Sequence, residues 1–253
     1  MKAYLKILAI SLFLISSFDT FAQDANKQQE ALDAYQKGEY QYAAGLYEEI
    51  LSQGQHAYEL YYNLGNAYFK QNLFAKSILY YEKALRLKPN DENTLFNLNV
   101  ARTKTIDKIE PLPELFFKKW WKGLIGIQNT GSWAYTCIIL WVFLLASIAV
   151  FLAAKTIGIK KIAFSLAIAL LALNILSFTL AYKSYQNLTN KNEAIIMSQR
   201  LTAKSAPNAG STDLFVIHEG AKVHITDRMT EWVEIKLDNG SVGWIKTGTF
   251  ELI

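Results

Sequence analysis

Apolar positions along this chain follow three different rhythms, and each predicts a different kind of element. Between residues 24 and 105 they recur three and four apart, the spacing of a helix with one buried face. The pattern returns after 34 residues: Ala43, Tyr47, Glu48 and Leu51 stand over Ser77, Tyr81, Glu82 and Leu85, and Tyr40 over Phe74. A fixed period of this length predicts stacked helical hairpins, an all-α solenoid. From 133 to 154, and again from 162 to 182, no residue is charged. At about 1.5 Å per helical residue each stretch reaches across a hydrocarbon core of about 30 Å. Beyond 193 the period shortens to two, in Leu214-Phe215-Val216-Ile217, Val223-His224-Ile225, Trp232-Val233-Glu234-Ile235-Lys236 and Val242-Gly243-Trp244-Ile245. This alternation predicts short half-buried strands. Asp238-Asn239-Gly240 between two of them predicts a hairpin, since asparagine and glycine accept the positive φ of a tight turn. The predicted fold is a multi-domain membrane protein: a helical solenoid, a two-helix transmembrane hairpin, and a small all-β barrel.

The ends and joins of these segments predict a topology. Lys2 and Lys6 precede an apolar run over 7–15, and Thr20-Phe21-Ala22 then offers small residues where a signal peptidase reads. Residues 1–22 therefore read as a secretory signal peptide, cleaved or kept as an anchor; in both cases the chain from residue 23 onward is carried across the membrane. Residues 155–161 are too few for a domain, so the second span returns the chain to the side it left. Lys155, Lys160 and Lys161 in that turn favour the cytoplasm, leaving both flanking domains outside. Residues 111–132 carry Leu115-Phe116-Phe117 and Trp120-Trp121 with Lys118, Lys119 and Lys122, and read as an amphipathic segment lying on the membrane surface. Residues 183–193 read as a polar linker, and Asn174, inside the second span, as a hydrogen-bonding contact to the first.

Composition narrows the function classes. The 253 residues are 51% hydrophobic and 19% charged, which excludes disorder over most of the length. The net charge of +4 sits in the hydrophobic middle: residues 23–110 hold 10 basic against 12 acidic residues, and 194–253 hold 6 against 7. That is where lysines orient spans, and nucleic acid is not an expected partner. One cysteine, Cys137, and three histidines, His56, His218 and His224, give no disulfide framework and no metal-ligand spacing. No nucleophile motif, assembled acid–base set or phosphate-cradling loop is present, so neither catalysis nor a cofactor is expected.

The second copy of the period, Tyr61-x2-Leu64-Gly65-x2-Tyr68, then Ser77-x3-Tyr81, Ala84 and Pro89, resembles the tetratricopeptide repeat. The first copy departs from it, with Glu30 at the leucine position and Ala31 at the glycine one. The expected domain is 23–110, with repeats at about 24–57 and 58–91 and a capping helix over 92–105. In such arrays the first helix of each repeat lines a concave groove, and Tyr62, Asn66, Phe69 and Asn97 fall on that face as candidate partner-binding residues. The resemblance implies that Asn66 and Asn97 hydrogen-bond a peptide backbone, whereas Tyr62 stands where a lysine would grip a terminal carboxylate. A structural role, with Tyr62 and Phe69 partly core and the asparagines solvated, stays open beside this one.

Residues 194–253, with Glu219-Gly220, Glu231-Trp232-Val233-Glu234-Ile235 and Asp238-Asn239-Gly240-x2-Gly243-Trp244-Ile245, resemble the bacterial SH3 domain. That resemblance implies binding of wall material or peptides, with Trp232 and Trp244 as a candidate ligand face, at least one of them expected in the core. The order of parts resembles BatE-like proteins of the Bacteroides-aerotolerance (Bat) group. It implies a scaffold in the bacterial inner membrane, with both domains in the periplasm, working with von Willebrand A-domain Bat proteins and, indirectly, a MoxR-type ATPase. A peptidoglycan-binding anchor or sensor acting through the SH3-like domain is the alternative.

Overall fold

In the computed structural model, residues 26–113 and 115–253 are described; the signal peptide expected over 1–22 lies outside them. The repeat region is five helices: α1 over residues 26–36, α2 (Tyr40–Ser52), α3 (Tyr58–Lys70), α4 (Phe74–Leu87) and α5 (Glu92–Thr103). Two antiparallel pairs and one further helix follow the 34-residue period. The second pair crosses at Gly65, where an added Cβ would lie 2.6 Å from Tyr81 Cδ1. Ser77, buried where alanine is usual, donates its hydroxyl to the Gly65 carbonyl at 2.9 Å, so a residue only slightly larger than alanine adds a hydrogen bond at the crossing. The first pair uses fully buried Ala31 and Ala34 at its own crossing.

Asp91 caps α5, accepting from Thr94 N at 3.0 Å and from the Tyr58 hydroxyl at 2.5 Å. Burial works against this carboxylate, but the bonds from Tyr58, Lys88 and Thr94 outweigh it and hold its pKa well below the usual range. One side chain thus starts the capping helix and ties it to α3.

After α6 (Phe116–Gly126), α7 (Thr130–Ala153) and α8 (Ile157–Thr189) form an antiparallel hairpin. Both helices are long and apolar enough to cross a membrane. Their polar residues turn toward each other: Ser147 Oγ donates to Ala163 O at 2.8 Å, Asn174 Nδ2 to Cys137 O at 3.2 Å, and Thr130 and Ser184 pair through their hydroxyls at 2.8 Å. Each of these groups is satisfied inside the hairpin, as a lipid surround requires. The turn is shorter than the seven residues expected, because α8 begins at Ile157. The helix also runs on through the expected linker to Thr189, since Lys183 is the one charge in a stretch of otherwise good helical pattern. Only residues 190–192 separate α8 from the first strand.

Seven strands complete the chain: β1 (Glu193–Ile196), β2 (Arg200–Lys204), β3 (Asp213–His218), β4 (Lys222–Arg228), β5 (Trp232–Lys236), β6 (Val242–Lys246) and β7 (Phe250–Leu252). They form an antiparallel sheet in the order β3-β2-β6-β5-β4-β1-β7. Because Ala203, Ile217, Val223, Val233, Ile235 and Ile245 share one core cluster, the sheet curls on itself as a small barrel. In the turn between β5 and β6 only Gly240 takes positive φ, at 91°; Asn239 instead accepts Ser241 N through its side chain at 3.0 Å.

The barrel does not hang free of the repeats. Ile195 of β1 and Ile253 join Ile78, Leu79, Tyr81, Leu98 and Ala101 in a single core. Around it runs a charge network: Lys222 Nζ lies 2.9 Å from Glu82 and 3.1 Å from Glu193, and Arg102 lies 2.5 Å from Glu82. Arg86 donates to the main-chain oxygens of Asn190 and Ile253 at 2.5 Å each. Burial lowers the Lys222 pKa, but Glu82 and Glu193 outweigh it and leave it raised. The segment after α5 straps the barrel further: Asp107 accepts the His218 main-chain N–H at 2.6 Å and pairs its ring at 2.9 Å, and Leu112 N donates to Asp238 O at 3.0 Å. Repeats and barrel therefore meet at one end of the hairpin, joined by contacts more than a hundred residues apart in sequence.

Candidate functional site: the repeat groove

The four groove residues expected from sequence come together. Tyr62, Asn66 and Phe69 on α3 and Asn97 on α5 line one cavity of about 390 Å³, with Tyr35 from α1, Tyr81 from α4, and Lys70, Phe96 and Val100. Helical spacing does this: 62, 66 and 69 are one turn apart on α3, and 96, 97 and 100 lie on one side of α5. Every lining residue comes from the repeats, so the docked barrel leaves the groove open.

A hydrogen-bond cluster organises its floor. Asn66 Oδ1 accepts from the Tyr81 hydroxyl at 2.7 Å and from Asn97 Nδ2 at 3.1 Å, and Asn97 Nδ2 also reaches the Tyr62 hydroxyl at 3.1 Å. Burial pushes the Tyr81 phenol far above its ordinary pKa, so it remains a proton donor. With both lone pairs of Asn66 Oδ1 taken, the amide is held in one orientation, and its NH₂ is the group left to donate to a guest carbonyl. Tyr62 and Phe69 each pack one side on the Ile78, Leu79 and Leu98 core, so they brace the groove wall as well as facing it. The arrangement suits an extended backbone laid between aromatic walls, and holds no acid–base pair aimed at a common point.

Five lining residues, Tyr35, Lys70, Tyr81, Phe96 and Val100, were not expected in the groove from sequence, and the period contained the signal for three of them. Phe96, Val100 and Tyr35 stand 34 residues from Tyr62, Asn66 and Phe69, respectively. Phe96 is exposed.

The barrel corrects one expectation. Neither Trp232 nor Trp244 belongs to its buried core; both are half-buried. Trp232 pairs with Lys246 and Trp244 with Glu234 across the β5–β6 ladder, while Val233 and Ile245 pair on the opposite, inner face. Alternation thus puts both indoles on the outer face, beside Glu234, which accepts from the Thr226 hydroxyl at 2.6 Å, and Lys204, paired with Trp244 in register and 2.5 Å from Asp213. Among the described residues no group of three or more His, Cys, Asp or Glu side chains could hold a metal ion.

Comparison with known families agrees with this geometry. Residues 58–91, which span α3 and α4, match the tetratricopeptide repeat, and residues 200–251, from β2 into β7, match the bacterial SH3 domain. Comparison with curated proteins gives no significant match. The two families are typically binding modules, for protein partners and, for the bacterial SH3 domain, also for peptidoglycan. The chain carries a tetratricopeptide repeat and a bacterial SH3 domain on either side of two apolar, membrane-length helices.

Proposed function

We propose that this chain is a non-catalytic, membrane-anchored adaptor of the bacterial envelope, holding an extended segment of a partner protein in the groove of Tyr62, Asn66, Phe69 and Asn97. The observation that carries the reading is the groove itself: open beside a docked barrel, walled by aromatic rings and floored by amides already oriented by Tyr81 and Tyr62. The order of domains, similar to that of BatE-like proteins, supports an aerotolerance or envelope-stress assembly. In it a von Willebrand A-domain membrane protein supplies the segment, and a MoxR-type ATPase acts from the other side of the membrane. In this reading the turn at Lys155, Lys160 and Lys161 is cytoplasmic, and repeats and barrel share the periplasm.

The outer barrel face favours a second reading, an anchor or sensor that grips peptidoglycan through Trp232 and Trp244. Two half-exposed indoles on one face suit the apolar side of a sugar ring.

A photo-crosslinker at Phe96 in the full chain, activated in native membranes, separates the two. Capture of an A-domain protein, lost in the Asn66→Ala/Asn97→Ala variant, is the expected result. Capture unchanged by that variant refutes the groove, and peptidoglycan bound by the wild type but not by Trp232→Ala/Trp244→Ala moves the function to the barrel.

A further inference from the structure

Helix α6 reads Phe116-Phe117-Lys118-Lys119-Trp120-Trp121-Lys122-Gly123-Leu124-Ile125-Gly126. At 100° per residue its six large apolar side chains fill one half of the helix and its three lysines the other; no acidic residue interrupts either. The structure shows what covers part of the apolar half. Trp121, Leu124 and Ile125 pack on Trp133 of α7 and Leu180 of α8, the Trp133 indole N–H donates to Ile125 O at 3.1 Å, and from the repeats Asn90 Nδ2 donates to Gly126 O at 2.7 Å. The helix is pinned between the hairpin's end and the repeat domain. The rest of the apolar half is bare: Phe116 is 85% exposed, Phe117 51% and Trp120 65%.

We infer that α6 lies in the headgroup layer of an anionic leaflet, on the side of the membrane that holds the two folded domains. In that position Phe116, Phe117 and Trp120 are sunk into the boundary of the acyl chains, and Lys118 and Lys119 rest on lipid phosphates. Three observations point to lipid rather than to a protein partner. The bare rings continue the surface of the hairpin, whose first span begins at Thr130. Tyr135, Tyr182 and Tyr185 are exposed at the same end, forming with them the aromatic girdle typical of a membrane–water boundary. The charge on the opposite half of α6 is entirely positive, complementary to phosphate. This placement accounts for a lysine cluster on the side that the positive-inside rule would leave poor in lysine, and it is independent of what the groove binds.

The test uses the full chain with Cys137→Ser, carrying a single environment-sensitive fluorophore on Phe116→Cys or, as a water-exposed reference, on Asn239→Cys, in phosphatidylglycerol-containing nanodiscs. Quenching at 116 by lipids spin-labelled near the headgroup, with protection from aqueous iodide, is expected; position 239 should show the reverse. Lys118→Gln/Lys119→Gln should bring the preference for spin-labelled phosphatidylglycerol over phosphatidylcholine down toward one. Iodide reaching 116 as freely as 239, a label in native membranes shielded from both quenchers, or a lipid preference unmoved by the lysine changes would each overturn the inference.

Discussion

The contact between Lys222 on β4 and Glu82 on α4 offers a quantitative check on whether repeats and barrel form one body. The two charges are 2.9 Å apart, with side chains 20% and 9% exposed. At an effective dielectric of about 20, a pair at such a distance attracts by on the order of 5 kcal/mol. Much of that is offset by the hydration both groups give up, and part is shared, because Glu82 also binds Arg102 and Lys222 also binds Glu193. A net coupling of about 2 kcal/mol remains. Glu82→Gln and Lys222→Gln should each lower the stability of the water-exposed domains by about 2 to 3 kcal/mol, since each strands a partly buried charge. The double variant should cost about 2 kcal/mol less than the two single effects together. Urea unfolding of the full chain in detergent micelles, followed by tryptophan fluorescence, measures all four corners of the cycle. Additivity within about 0.5 kcal/mol would refute the docked arrangement.

Other expectations test other parts of the fold. Gly65→Ala drives a methyl group into the buried Tyr81 ring, 2.6 Å away, and should cost about 1 to 3 kcal/mol. Gly45→Ala, in α2 with nothing within 4 Å, should instead stabilise by up to about 1 kcal/mol; the urea midpoints of the two variants should move in opposite directions. The His224 imidazole is held above its ordinary 6.5 by its bond to Asp238, against burial and Lys222, with help from Glu193. A raised folded-state value means that this stabilisation is complete below about pH 6.5 and is lost as pH rises through the raised value. The melting temperature should fall on that side, and Asp238→Asn should flatten the slope. In the hairpin, Asn174→Leu removes the bond to Cys137 O and should cost about 0.6 kcal/mol, read from unfolding in mixed micelles; a loss above about 2 kcal/mol would give Asn174 a role beyond that bond.

The parts of this molecule that sequence made legible are those governed by local periodicity. The 34-residue offset located both helix pairs, and the same offset, followed one step further, reaches Phe96, Val100 and Tyr35. Charge-free stretches located the hairpin, and alternation located β3, β4, β5 and β6 but not β1, β2 or β7. Alternation also held the answer for the tryptophans: Trp232 has the parity of Glu234, and Trp244 that of Lys246, so both had to lie outside once Val233 and Ile245 lay inside. The end of α8 was harder to read, because Lys183 and the polar residues after it suit an exposed helix as well as a linker. Least legible was the docking of the barrel. Ile195 and Ile253 look like ordinary strand residues, and nothing local distinguishes Glu82 or Arg86 from solvated helix charges; their partners on the barrel, Lys222 and Ile253, lie more than a hundred positions away. Such pairings arise from the assembled surfaces and have no periodic trace.

The length of α8 has a mechanical consequence. Its 33 residues make a rod of about 50 Å, longer than a hydrocarbon core of roughly 30 Å. With three residues between its end and β1, and with Arg86 grasping Asn190 at that join, the rod is almost directly coupled to the barrel and, through it, to the repeats. A change in tilt of about 10°, well inside the range spanning helices adopt, would swing the far end of such a rod by about 9 Å. On the proposed placement in the membrane, a partner that presses on the hairpin, or on the short turn at its other end, would therefore have a lever with which to move the groove.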